Sequence, residues 1–230
     1  MKHQQMNIRR HSRLLAGLAV VALAVGAANA SEDTFDGLQL VPNTKISALY
    51  MRKGADFGSY DKVAIRDCHV AFRKDWQKDQ NKSARVKVSD EDMRRIKTEL
   101  SEECKKVFAE RLTAGGETVA TDAGTGVLLL RPAIINLEIS MPGSTDPEPG
   151  IIRSSESAGQ ATLYLELYDS VTGELLARAI DDEVAGARGY ISVRNGATNR
   201  TDADLLLKKW ANLLATFLKN ARASAPGSAP

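Results

Sequence analysis

Histidine and cysteine are the scarcest chemistry-bearing residues of this 230-residue chain, which holds three of the first and two of the second. His3 and His11 fall in the basic amino-terminal stretch, so His69 is the one imidazole left to the body of the protein. One imidazole and two thiols, with no C-x-x-C and no H-x-x-x-H, make a zinc site improbable. Serine hydrolysis would need His69 beside a sharply held serine, and no G-x-S-x-G elbow is present. A glycine-rich phosphate loop is also missing. Cys68 and His69 are adjacent, but neighbours on a strand point to opposite faces, so the imidazole cannot serve that thiol unless the chain bulges. The acids Asp181, Asp182 and Glu183 are separated by the same alternation and read as a solvated strand end. Aromatics make up 5% of the chain, too few to interleave with cations as a nucleic-acid surface requires.

The chain also lacks a long enough apolar run. The longest continuous candidate, Leu14 to Val25, is shorter than the ~20 residues of a bilayer span. Lys2, Arg9, Arg10 and Arg13 precede it, and Ala28-Asn29-Ala30 follows it, the layout of a secretory signal cleaved after Ala30. The residues after Arg9-Arg10 lack the hydrophobic companion of twin-arginine export, which leaves ordinary secretion to the periplasm. No cysteine stands at the cleavage site, so the mature amino terminus cannot be acylated there. Cleavage takes four of the 31 Lys and Arg and none of the 29 Asp and Glu, leaving a balance of about −2. Bulk charge therefore selects no nucleic-acid partner. The expected organisation is a signal at 1–30, one domain over 31–222 and a disordered Ala/Pro/Ser-rich tail at 223–230.

Within the domain a helix is expected from a cap at Ser89 to about Leu112, closed by Gly115 and Gly116. Met93, Ile96, Leu100, Cys104, Val107, Phe108 and Leu112 form one apolar stripe on its 3.6-residue period. Asp92 stands at the capping-box distance from Ser89. A second amphipathic helix is expected from Thr201 or Asp202, with Leu206, Trp210, Leu213, Leu214, Phe217 and Leu218 on one face. Strands are expected at 62–72, with a bulge near Asp67, at Val127–Ile139, at 161–168, at 174–185 and, briefly, at 117–121 and 190–193. Pro132 predicts that the second of these is an edge strand or is broken there. The polar stretch 73–87 reads as a solvated loop in which Trp76 packs back onto the domain. Its alternative is a loop for an anionic partner, built from Arg73, Lys74, Trp76, Lys78, Lys82, Arg85 and Lys87. The Pro/Gly/Ser-rich run 140–157 reads as a long loop. These elements make an α+β two-layer sandwich, with a mostly antiparallel sheet of about five strands and two amphipathic helices on one face. The opposite face is expected to carry Tyr164, Tyr168 and Arg178.

Export leaves an even pair of cysteines in a compartment where disulfides persist. Cys104 lies in the helix stripe, and Cys68 shares a strand phase with Val70 and Phe72, so the two can meet. The alternative is a pair of buried thiols acting as small apolar side chains.

The order and spacing of Asp36-Gly37-Leu38, Gly54-Ala55-Asp56-Phe57, Tyr60-Asp61-Lys62-Val63, Tyr168 to Glu174 and the closing Trp210 helix resemble a bacterial envelope family. It is catalogued as domain-of-unknown-function family 3313, and its members are often labelled lipoproteins. The resemblance covers about Asp36 to Arg222. It implies location and fold, and carries over no functional residue. Together these readings point to a non-enzymatic envelope binding or accessory module without a cofactor, whose partner is an envelope protein or lipid. The alternatives are an auxiliary subunit of an envelope lipid or transport system, and a carboxylate-based hydrolase or lyase. A deep pocket lined by two or more acids would favour the last.

Overall fold

The apolar run 127–139 is the strand around which the others are ordered. The computed structural model describes residues 36–83, 87–140, 154–187 and 189–223. The expected signal, the tail from 224 onward, Arg85 and most of the 140–157 loop lie outside the described residues. In chain order the strands are β1 (Leu38–Leu40), β2 (Ala48–Arg52), β3 (Lys62–Ile65), β4 (His69–Phe72), β5 (Thr118–Ala120), β6 (Val127–Ile139), β7 (Ser154–Ser155), β8 (Gly159–Asp169), β9 (Leu175–Ala185) and β10 (Ser192–Val193). The helices are α1 (Trp76–Ser83), α2 (Asp90–Ala114) and α3 (Gly196–Ala223), with a single 3-10 turn at Phe57–Ser59.

The main sheet has eight strands in the order β1-β2-β9-β8-β6-β3-β5, with β4 also paired to β6. It is mixed: β6 runs parallel to β3 and β4, and β3 parallel to β5, while the β1 to β8 side and the β6–β8 junction are antiparallel. The expectation of about five mostly antiparallel strands is corrected here, since the short edge strands carry too few apolar residues to show a period. β7 and β10 form a separate two-stranded piece.

Pro132 does not place β6 at an edge or break it; the strand pairs on both sides over 13 residues. The interruption falls on its neighbour. The Leu130 carbonyl accepts from Arg66 N at 2.9 Å, so the polar main-chain groups of Leu130, and by alternation Pro132, face β3 and β4. Pro132 has no N–H to offer there, and opposite it residues 66–68 leave the ladder between β3 and β4. On the β8 side the irregularity lies further on. Ile135 faces Thr162 and Glu138 faces Gln160, so β6 takes three steps where β8 takes two. Asn136 absorbs this bulge with φ 51°, a conformation that Asn tolerates better than most residues.

Helix α2 starts where the capping box predicts. Ser89 Oγ accepts from Asp92 N at 3.1 Å, and Asp92 Oδ2 accepts from Ser89 N at 3.0 Å. α3 starts at Gly196, more than a turn before the expected Thr201 or Asp202. There Asn195 Oδ1 accepts from Thr198 N and Thr198 Oγ1 from Asn195 N, each at 3.0 Å, a reciprocal cap without the usual Glu or Gln. α1 corrects the expected 73–87 loop. Its Trp76 is buried and stacks on Phe72 with centroids 4.6 Å apart, while Asn81 accepts from Val88 N and ties the helix to the entry of α2.

The core lies between one face of the sheet and the pair α2, α3. Val63, Leu128, Leu130, Ile134, Leu163 and Leu167 meet Val107, Phe108 and Leu112 from α2, and Leu207, Trp210 and Leu218 from α3. Each such burial is worth ~1.5–3 kcal/mol before conformational entropy is charged against it. The α2 backbone runs closest to β4, β5 and α3. Cys68 in the interruption and Cys104 in the helix hold it there through a disulfide, Cα to Cα 6.2 Å.

Under non-reducing conditions the protein should have the mass of one disulfide and no alkylatable thiol, and replacing both cysteines by serine should cost up to ~4 kcal/mol in denaturant titration. Ser89→Ala should cost ~1 kcal/mol. The Ser89 hydroxyl, then its backbone N–H and the Arg95 guanidinium, hold the Asp92 carboxyl down at about 2 against the usual 3.8. The cap's charged contribution should therefore be complete above about pH 4 and fade as pH falls toward 2, and acid melts of the parent and S89A should converge there.

Candidate functional site

Toward their carboxyl ends α2 and α3 touch: a Cβ added at Gly115 would lie 3.0 Å from the Ala215 Cβ. Phe57 and Phe217 meet edge to face at 5.3 Å. Toward their amino ends the helices are bridged by long side chains, and a slot of about 670 Å³ opens between them and the sheet. Its volume is in the usual range of small-molecule sites.

The slot is a product of small residues. Gly159 and Ala161 on β8, Ala185 on β9 and Ala158 before them give its floor no bulk, and Ala203 does the same for the α3 wall. Gly159 has φ 139°, and a Cβ there would collide with the Glu138 carbonyl across the bulge, so the position accepts glycine alone. Ile134, Leu137 and Ile139 from β6, Ile96 and Leu100 from α2, and Leu206, Leu207 and Trp210 from α3 complete an apolar lining. Ile96 and Leu100, members of the buried α2 stripe, pack against the core only in part and stand as half-buried walls of the slot.

Charged groups stand around this lining. Glu99 bonds Arg95 at 3.5 Å on its own helix and Arg200 at 3.3 Å across the gap. Glu138 accepts from Arg73 Nε at 2.5 Å and from Gln160 Nε2 at 2.9 Å, and Asp204 accepts from Lys208 at 2.7 Å. These exposed or half-exposed pairs are worth little to stability individually. Beneath them Trp210 Nε1 donates to the buried Asp181 at 2.9 Å, and the other Asp181 oxygen accepts from Ser47 N at 2.9 Å. Asp181 thus belongs to the framework rather than to a cation site.

The cations of the 73–87 segment are not brought together. Arg73 is shared between Asp79 and Glu138, Lys82 pairs with Asp79 at 2.9 Å, and Lys87 donates to the Asn81 carbonyl. Lys74 and Lys78 face solvent, Trp76 is buried, and Arg85 is outside the described residues. Cys68 of the disulfide, with Asp67, His69, Ser101 and Lys105, lines a second and more open depression of about 660 Å³, which Cys104 does not reach. Among the described residues no three His, Cys, Asp or Glu side chains are grouped to hold a metal ion.

The sheet face away from the helices carries Tyr164, Tyr168 and Arg178, as alternation predicts. They converge on Glu166, which accepts from Tyr168 at 2.7 Å, Tyr164 at 3.2 Å and Arg178 Nη2 at 2.9 Å. Arg178 sits over the Tyr164 ring and Arg131 over the Tyr168 ring, both at 5.4 Å, and Arg178 also bonds Asp36 at 2.6 Å. Burial alone would raise the Glu166 carboxyl, but the hydrogen bonds from Tyr168 and Arg178 and the Arg178 charge outweigh it and hold it low. Burial and the bond to Glu166 push Tyr168 up to about 12. With its oxygens so occupied, Glu166 is a clamp on an open sheet and not a base. The neutral Tyr168 is favoured in the fold, so its contribution is present below about pH 10 and lost between 10 and 12. Alkaline unfolding followed by circular dichroism should be less steep over that window in Tyr168→Phe.

The family model described as "Protein of unknown function (DUF3313)" matches residues 29–214. A PelC dodecamer from Paraburkholderia phytofirmans is similar at 15% identity and TM-score 0.37, over 73% of this chain and 95% of that one. A DUF4136 family protein from Bacteroides thetaiotaomicron is similar at 13% identity and TM-score 0.34, over 81% of this chain and 97% of that one. No curated protein matches.

Proposed function

The chain belongs to the DUF3313 family, and we propose that it acts as an exported, envelope-associated binding module that holds the apolar part of an amphipathic ligand in the slot between helices and sheet. The observation that carries this reading is the slot itself. It is built largely from alanine, glycine and aliphatic side chains; of the charged groups around it Arg95, Glu99, Glu103, Glu138, Arg200 and Asp204 are ion-paired, and Glu102 is exposed to solvent. An apolar guest in this ~670 Å³ slot would take apolar lining out of water without breaking an ion pair. The signal at 1–30 supports a periplasmic setting, and no helix among the described residues is long and apolar enough to cross a membrane. Such a module would serve an envelope lipid or transport system as an accessory subunit.

A second reading, a carboxylate-based hydrolase or lyase, draws on the acids lining the slot. Against it, four of the five acids, Glu99, Glu103, Glu138 and Asp204, are each bonded to an arginine or lysine, and the fifth, Glu102, is exposed to solvent rather than held beside a second carboxylate.

The test is binding of the fluorescent fatty acid cis-parinaric acid and its displacement by palmitic acid. Ala203→Trp, which fills the slot from the half-buried face of α3, should weaken binding at least about tenfold, or ~1.4 kcal/mol, with the melting temperature unchanged within a few degrees. Glu138→Gln should bind as the parent does. Parent protein that leaves the probe fluorescence at its value in buffer would refute the reading.

A further inference from the structure

Between the last slot residue of β9, Ala185, and the first of α3, Gly196, residues 189–195 form a strap. Its polarity is inverted. Tyr190, Ile191 and Val193 are 59%, 64% and 54% exposed, whereas the charged Arg194 is 2% exposed. Of the eight exposed large apolar side chains among the described residues, three fall within positions 190–193. Arg194 is turned inward to an ion pair between its Nη1 and the buried Asp202, and its Nη2 donates to the Gly186 carbonyl at 3.0 Å. Gly186 has φ 66°, and a Cβ there would collide with the Asp202 carboxylate, so the clasp also depends on glycine. Burying an ion pair gives up the hydration of both ions, and leaving a tyrosine, an isoleucine and a valine in water gains nothing for the fold. The strap is thus held in place at its base while its apolar side is turned out.

We propose that this strap docks the protein on an anionic lipid surface, at the entrance of the slot. More than half exposed, its three side chains stand off the surface rather than line a groove for a peptide. Residues 186–195 include no Asp or Glu, so nothing on the strap repels anionic headgroups. Tyrosine beside aliphatic residues suits the boundary between headgroups and acyl chains. Continuity with Gly196, Asn199 and Arg200 puts the docked surface next to the slot, so a single chain could pass from bilayer to lining. This last step rests on the binding-module reading; the docking does not.

The experiment is flotation of the exported protein with vesicles of phosphatidylethanolamine and phosphatidylglycerol. The parent should float, and the triple variant Tyr190→Ser, Ile191→Ser, Val193→Ser should lose at least about tenfold of the bound fraction. That variant should retain the parent's thermal melt and its cis-parinaric acid binding, because none of the three side chains is in the core or the slot. A second triple variant, Tyr190→Trp, Ile191→Leu, Val193→Ile, keeps the apolar character of the strap and should float as the parent does. A parent that stays in the soluble fraction, or a serine variant that floats equally well, overturns the docking. Strap-dependent flotation without fatty-acid binding would uphold the docking and sink the slot reading, and fatty-acid binding without flotation would do the reverse.

Discussion

Two-sided pairing of β6 is the constraint on which the rest of the structure depends. A strand bonded along both edges must be satisfied along both edges, and Pro132 withholds one donor on the side of β3 and β4. The neighbour answers by leaving the ladder at 66–68. Cys68 sits in that gap, 3% exposed, within reach of Cys104 in the middle of α2. Ser101 adds a hydrogen bond to the Cys68 carbonyl at 2.7 Å, so one of the groups freed by the interruption is taken up by the helix. A single residue without an N–H thus explains why one strand became two and where α2 is anchored.

The residues that carry the family resemblance turn out to be staples between distant parts of the chain. Tyr60 donates to Asp169 at 2.8 Å, and Asp169 Oδ1 also caps the β8–β9 turn by accepting from Val171 N and Thr172 N. Asp36 reaches Arg178, and Trp210 reaches Asp181. Each is a polar contact between elements far apart in sequence, which is the kind of contact that fixes one arrangement of layers over its competitors. Such residues keep order and spacing in the chain because they hold its layers together, and Trp210 does so while also lining the slot. That accounts for a recognisable pattern made of contacts between layers.

The slot and the strap arise at the other end of the sandwich, where the helices part. Two long helices crossing a twisted sheet cannot stay in contact with it along their whole length. Large side chains fill the resulting gap near Phe57 and Phe217, while Gly159, Ala161, Ala185 and Ala203 leave it open near the start of α3. The paired charges around the opening keep the two walls registered. An apolar lining held open in this way stays hydrated or takes an apolar guest, and the inverted strap beside it supplies the approach.

Periodicity by itself determined the bounds of β6, the start and cap of α2, the β8–β9 hairpin and the polar face bearing Tyr164, Tyr168 and Arg178, because each depends on residues a few positions apart. The cysteine pair was also legible, from a strand phase, a helix phase and an even count of two. Other features were decided in three dimensions. Pro132 could be read as a breaker, but whether its missing N–H interrupts its own strand or the next depends on which edge it faces. The apolar stripe of α2 is continuous in sequence, yet Ile96 and Leu100 line a slot, since burial is set by what lies opposite and there the sheet presents glycine and alanine. The cations of 73–87 left a patch open as the alternative to a solvated loop, and the folded chain disperses them by sharing Arg73 between Asp79 and the distant Glu138. Local pattern specifies an element and its buried phase; the size and charge of what meets that phase come from strands far away in the chain, and only the packed layers bring them together.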